Sequence, residues 1–264
     1  MFMSDVSILS TVINFELYKK TSPLHPTAIN RFVIDGRNGM HGLSSLRYAI
    51  RKLKSQKVDW LLMCDEDVIF QDASAIEKIK NHMLANDQVV AGVRDGGMIS
   101  HRGYNPYVPN TFLCLIHWSR VMESFSMKEM LQQQFIKEAE FADKLHQLPF
   151  KFDRKSVFEP YYRFFFYLRR KGFKMLFLDS QMATDGISNH ISWDDKIMAT
   201  HTWYARSYGV NEKHTKRING ILKDATFNNL PIDNSEVILW KDPTYFLTSK
   251  VKKIARRIHN RFSN

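Results

Sequence analysis

The chain is poor in cysteine, with two among 264 residues, Cys64 and Cys114. Both lie inside apolar runs, so a disulfide framework is excluded and both are expected as buried thiols of a reducing compartment. No apolar run approaches the roughly 18–20 residues needed to span a bilayer. The opening Met1-Phe2-Met3-Ser4-Asp5 lacks the basic stretch of a secretion signal. A cytoplasmic protein is therefore expected. There is no internal repeat or low-complexity segment. Helix-turn-helix, zinc-finger and RNA-binding signatures are missing too, so no nucleic acid is expected as a partner. Acidic residues are absent from 244–264, a segment with six Lys and Arg and thus more than half of the net charge of +11.

That basic segment has a pattern. Leu247, Val251, Ile254, Ile258 and Phe262 recur every three or four residues, which predicts a C-terminal amphipathic helix with a basic face. Such a helix suits an anionic membrane surface, or packs on its own domain with its charges in water. The first alternative makes the protein peripheral on the inner face of the membrane. The remaining composition, 44% hydrophobic and 25% charged, is that of a globular protein. Residues 1–243 read as one domain, with a first half at 1–93 and a second at 94–243, and 244–264 as the tail.

Strands are predicted at 6–13, 31–34, 58–64 and 89–93, with amphipathic helices from 43 and over 73–84. This alternation implies an α/β fold with a doubly wound, mainly parallel sheet flanked by helices. Ligands of such sheets sit at the carboxyl ends of the strands. Residues 94–110, rich in Gly and Pro, predict a mobile loop over that edge. A strand is expected at 111–116, helix through much of 119–146, an aromatic core helix at 161–171 closed by Gly172, and a strand at 173–178.

The chemistry concentrates where the third strand ends, in Trp60-Leu61-Leu62-Met63-Cys64-Asp65-Glu66-Asp67. Three adjacent carboxylates cannot be buried without partners, since unpaired buried charge costs several kcal/mol. In extended chain Asp65 and Asp67 point to one side. Paired oxygens of this kind suit Mg or Mn, which commonly share their shell with phosphates. Asp35, in the turn Asp35-Gly36-Arg37-Asn38-Gly39, falls on the same edge, although Asp before Gly is also an ordinary turn pair.

Taken in order, the first strand Val6-Ser7-Ile8-Leu9-Ser10-Thr11-Val12-Ile13-Asn14, the second ending in Asp35-Gly36, Asp65-Glu66-Asp67, Phe158-Glu159-Pro160 and the helix ending Leu168-Arg169-Arg170-Lys171-Gly172-Phe173 resemble the nucleotide-sugar-dependent glycosyltransferases of GT-A fold, especially the family-2-like group. The likeness covers roughly 5–205. It implies Thr11, Val12 and Asn14 at the nucleotide base, Asp35 bonded to that base, Asp65 by the ribose or the cation, and Asp67 on the cation. His201 and His190 are the histidines available to complete the metal shell, and Arg206 to clamp the diphosphate. The expected cofactors are a Mn or Mg ion and a nucleotide-sugar donor, in this group most often a UDP-sugar. The expected acceptor is a glycan or a lipid-linked intermediate, as in surface polysaccharide synthesis.

The family's Glu-Asp pair reads Glu159-Pro160 here. Glu159 is the first candidate for the base, then Asp153 and Asp185, and Glu159 could equally serve as a charge at the start of the next helix. Inversion and retention both stay open. Two rivals also stand: a nucleotidyltransferase, disfavoured because 10–18 contains no glycine, and a non-catalytic basic protein that binds membrane or nucleic acid.

Overall fold

A computed structural model describes residues 5–226, 236–247 and 249. Among these described residues ten strands form one sheet: β1 (Val6–Val12), β2 (Asn30–Asp35), β3 (Trp60–Cys64), β4 (Val68–Phe70), β5 (Gln88–Arg94), β6 (Pro109–His117), β7 (Lys174–Met182), β8 (Asn189–Trp193), β9 (Lys196–His201) and β10 (Glu236–Trp240). Their order is β10-β2-β1-β3-β6-β5-β7-β8-β9-β4. Seven helices accompany them: α1 (Phe15–Thr21), α2 (Leu43–Leu53), α3 (Ala75–Ala85), α4 (Trp118–Met122), α5 (Met127–Leu131), α6 (Tyr162–Arg170) and α7 (Glu212–Thr226).

The α/β class is as predicted, and the sheet is more mixed than predicted. Strands β10, β2, β1 and β3 pair in parallel, as do β5 and β7, while β6 lies antiparallel between β3 and β5. Strands β7, β8, β9 and β4 are antiparallel throughout. The β8–β9 connection is a two-residue hairpin in which Asp194 and Asp195 have φ of 49° and 59°, the left-handed geometry such a turn requires.

The order of the strands fixes the shape of the site. Only residues 65–67 separate β3, in the middle of the sheet, from β4, at its far edge. The edge must therefore curl back to the carboxyl end of β3, and the acidic triplet is the joint between them. Two apolar cores flank the sheet. The larger gathers α2 and α6 with one face, including Phe164, Phe165 and Phe166, and the other packs α3 against β3–β6. Cys64 and Cys114 are buried free thiols, as expected.

Helix α6 closes as its sequence predicts: Gly172 has φ 85°, its N–H bonds the Arg169 carbonyl at 3.0 Å, and Phe173 N–H bonds Leu168 at 3.1 Å. Of the helix expected through much of 119–146, only α4 and α5 form. Ser126 caps the short α5, and beyond it the backbone carbonyls find side chains. Arg170 donates to the Phe135 carbonyl at 2.7 Å and pairs with Glu140 at 2.5 Å. Tertiary ion pairs thus replace the intrahelical ladder.

The loop predicted to be mobile is tied down. Asp95 N–H bonds the Val108 carbonyl at 3.0 Å, and Gly96 pairs with Gly103. A Cβ on Gly96 would lie 2.0 Å from the Tyr104 carbonyl oxygen. Gly96→Ala is expected to cost about 3 kcal/mol, since backbone cannot yield as a flexible side chain does. A urea midpoint unchanged from wild type would contradict that close approach.

Among the described residues no helix is long and apolar enough to cross a membrane. Most of the basic segment 244–264, including Val251, Ile254, Ile258 and Phe262 of its apolar stripe, lies outside the described residues.

Candidate metal and nucleotide site

Strand β3 is buried up to Cys64, and Asp65 N–H bonds the Phe112 carbonyl of β6 at 2.9 Å. The chain then turns, with Val68 N–H bonding the Asp65 carbonyl at 3.2 Å. The acids therefore occupy a tight turn where extended chain was expected, and the carboxylates of Asp65 and Asp67 still fall on one side. Their carboxylates converge, together with the imidazole of His201, with ligand atoms all within 4.8 Å of one another. His201 arrives from β9, whose register sets it opposite Val68. Thr202 clamps the joint, its N–H and Oγ1 bonding the Asp67 carbonyl at 3.0 and 3.1 Å.

Two of the three residues are buried, and Asp65 is half-buried. Asp67 and His201 are 4% and 2% exposed, with Asp67 Oδ1 3.1 Å from His201 Nε2. The His201 ring lies 4.0 Å from those of Phe112 and Trp203, which fix its plane. Glu66 points the other way and accepts from the N–H groups of Ile13 and Asn14 at 3.0 and 3.2 Å, tying the end of β1 to the acidic turn. Burial first, then the neighbouring carboxylates, push the Asp65 carboxyl well above its usual range and lift Glu66 to about 7. This crowding of acids without a balancing cation suits a divalent ion: two carboxylates and an imidazole are a donor set for Mn or Mg.

The cluster forms the floor of a cavity of about 570 Å³, which Thr11, Arg102, Asn110, Glu159, Tyr161 and Arg206 also line. Its rim after His201 is made by an unusual backbone. Trp203 and Tyr204 have φ of 56° and 61°, left-handed conformations that cost non-glycine residues roughly 1–3 kcal/mol each and that cluster at functional sites. Trp203 is held there by its Nε1–H on Asn189 Oδ1 at 2.8 Å and by Arg217 on its carbonyl at 3.3 Å.

The other predicted residues divide. Thr11, Arg206 and Glu159 line the cavity, and Arg206 is exposed on its rim. Val12 turns into a small core with Tyr18 and Val33. Asn14 caps α1 by accepting from Leu17 N–H, and its amide donates to the carbonyls of Ala205 and Tyr208 at 2.9 Å each, so it anchors the 205–208 segment. Asp35 caps its own turn and holds Arg37 through both oxygens, at 2.9 and 2.6 Å, which keeps its carboxyl low. His190 stands opposite Thr200, on the other face of the hairpin from His201, and bonds the Thr200 hydroxyl at 2.8 Å. It is thus a neighbour in sequence pattern and not in the cluster. Asp153 is exposed and caps a turn through Lys155 N–H. Asp185 accepts from Ile187, Ser188 and Arg217 in the β7–β8 loop.

Asp95, expected from sequence only as part of an acceptor or lid loop over 94–110, is instead a structural anchor of the cavity wall. It is fully buried at the end of β5 and accepts from Arg102 Nε and Nη2 at 2.6 and 3.0 Å, from Asn110 at 2.6 Å, from Tyr161 at 3.2 Å and from Tyr162. The same Arg102 Nη2 reaches Glu159 at 3.0 Å. Its place just beyond a strand, two residues past the predicted end at 93, was the available signal.

No protein-family model matches the chain, and no curated protein matches it. Among solved structures, the mannosyltransferase PcManGT from Pyrobaculum calidifontis, in complex with GDP-Man and Mn2+, aligns at 8% identity with a TM-score of 0.32, over 47% of this chain and 47% of that one. A likeness of that size assigns neither a fold family nor an activity.

Proposed function

We propose that the protein is a metal-dependent glycosyltransferase that moves a sugar from a nucleotide diphosphate donor, a UDP-sugar before others, to a glycan or lipid-linked acceptor. The observation that carries this reading is the convergence of Asp65, Asp67 and His201 on the floor of a cavity that also holds a carboxylate, Glu159, and a rim arginine, Arg206. Asp67 and His201 would hold the cation, with Asp65 beside them. The bound ion would act as a Lewis acid toward the leaving diphosphate. Arg206 supplies a positive charge at the same mouth, and such fixed donors stabilise developing negative charge. Thr11, on the cavity wall, would meet the nucleoside. Asp35 joins the base pocket only if its pair with Arg37 opens. Glu159, which lines the same cavity, would take a proton from an acceptor hydroxyl.

Calorimetric titration of UDP, GDP and CDP in Mn and then in EDTA tests the reading. Saturable Mn-dependent binding, lost in Asp67→Ala, is expected. A folded protein that binds no nucleotide with any divalent ion would sink the transferase reading in favour of a basic binding module. The affinity for Mn itself is expected to rise with pH, because the raised carboxyl of Asp65 holds a proton that opposes a cation. A flat pH profile would show that Asp65 does not meet the ion.

A further inference from the structure

A second cavity, of about 860 Å³, shares no lining residue with the first. Its volume falls in the range of small-molecule sites, roughly 300–1,000 Å³. The floor is apolar. Tyr107 and Leu145 are buried, and Phe141 is half-buried, stacked 6.0 Å from Phe166 and tilted 5.1 Å from Tyr107. Asp143 in the wall leaves no unanswered negative charge, because two cations, Arg94 and Arg169, pair with its two oxygens at 2.8 and 2.5 Å. The rim is different. Lys137, Arg154 and Lys155 are exposed on it with a single acid, Glu138. Asn105 fixes this rim by donating to the carbonyls of Arg154 and Ser156 at 3.3 and 2.9 Å.

We propose that this cavity binds one amphiphile, a phosphate head on a hydrocarbon tail. The tail would cover Tyr107, Phe141 and Leu145, and the head would sit among Lys137, Arg154 and Lys155. Each half of the site calls for one half of the ligand. Apolar floor removed from water contributes roughly 25 cal/mol per Å², which inorganic phosphate cannot exploit. Three cations against one acid leave a net charge of two on the rim, which matches a phosphate monoester near its dianionic form. A neutral hydrocarbon would leave that charge unanswered. The inference does not depend on the transferase reading, although Lys155 precedes Glu159 by only four positions, so one short segment borders both cavities.

The test is calorimetry on the full chain with decyl phosphate below its micellar concentration, and with decanol and inorganic phosphate in separate runs. Saturable binding of one decyl phosphate is expected, about tenfold tighter than decanol, with inorganic phosphate silent. Arg154→Glu with Lys155→Glu should weaken decyl phosphate about tenfold and leave decanol unchanged. Ala142→Trp, at an exposed wall position, should block both ligands while the melting curve stays that of wild type. The proposal is overturned if the folded protein shows no saturable binding or if decanol or phosphate alone binds as well as decyl phosphate. Unimpaired binding in Ala142→Trp would likewise overturn it, by showing that the ligand sits elsewhere.

Discussion

Asp95→Ala is expected to cost about 3–5 kcal/mol of stability, the range for removing one partner of a buried ion pair. The carboxylate has no exposure and answers five donors from three places in the chain: Arg102 twice, Asn110, and the hydroxyls of Tyr161 and Tyr162. Its loss would leave the Arg102 guanidinium, 17% exposed, without its principal counter-charge and would strand three further donors. Stranded buried donors cost about 1–3 kcal/mol each where water cannot reach them. Asp95→Asn keeps the shape but turns an amide NH₂ toward groups that must themselves donate, so it should recover only part of the loss. If the deficit arises from uncompensated charge, adding Arg102→Met to Asp95→Ala should cost less than the two changes separately, by about 2 kcal/mol in a double-mutant cycle. Urea unfolding followed by circular dichroism measures all four proteins. A cost for Asp95→Ala below about 1 kcal/mol, or strict additivity, would mean that water already satisfies Arg102. The same variants bear on the site, because Arg102 links Asp95 to Glu159 and cannot hold the second if it loses the first.

The features legible in the amino-acid sequence are those that local pattern determines. Strands β1, β2, β3 and β5 are dense β-branched or apolar runs, and α2, α3 and α6 carry their periodicity and stop signals within the segment. The pair Asp65 and Asp67 is legible for the same reason: charge placed directly after an apolar strand has to face a cleft. Other features depend on partners distant in sequence. The 132–148 segment has helical composition but is held open by Arg94, Arg169 and Arg170, which nothing local announces. Choosing His201 over His190 requires the register of β8 and β9, since a shift of one residue exchanges the two faces of a hairpin. Val12 and Asn14 fall on the right strand end, but only the packing decides which way a side chain turns there. Glu66 shows the converse: alternation alone sends it away from its neighbours, and the fold gives it the backbone of residues 13 and 14 to hold.

Glu159→Gln should lower sugar transfer by a factor of roughly 10²–10⁴, the usual worth of a positioned general base, while Mn-dependent nucleotide binding stays within about twofold of wild type. Three carboxylates were candidates for this role and the fold separates them. Asp153 spends its side chain on a surface turn, and Asp185 is consumed by the β7–β8 loop and Arg217. Of the three, Glu159 alone lines the cavity that holds Asp65, Asp67 and His201. It is 24% exposed, which leaves room for an acceptor, and one oxygen is fixed by Arg102. That contact orients the group within the cavity wall. Asp153→Asn should therefore leave transfer near wild type. Asp185→Asn should change stability more than turnover, because its oxygens close a loop and touch no wall of that cavity. The decisive comparison is transfer against donor binding in the same preparations. Loss of both in Glu159→Gln would assign the residue to binding. Loss of neither would remove it from the mechanism and leave the cation cluster without a carboxylate base among these three, as expected of a retaining enzyme or of a protein that binds a nucleotide sugar without transferring it.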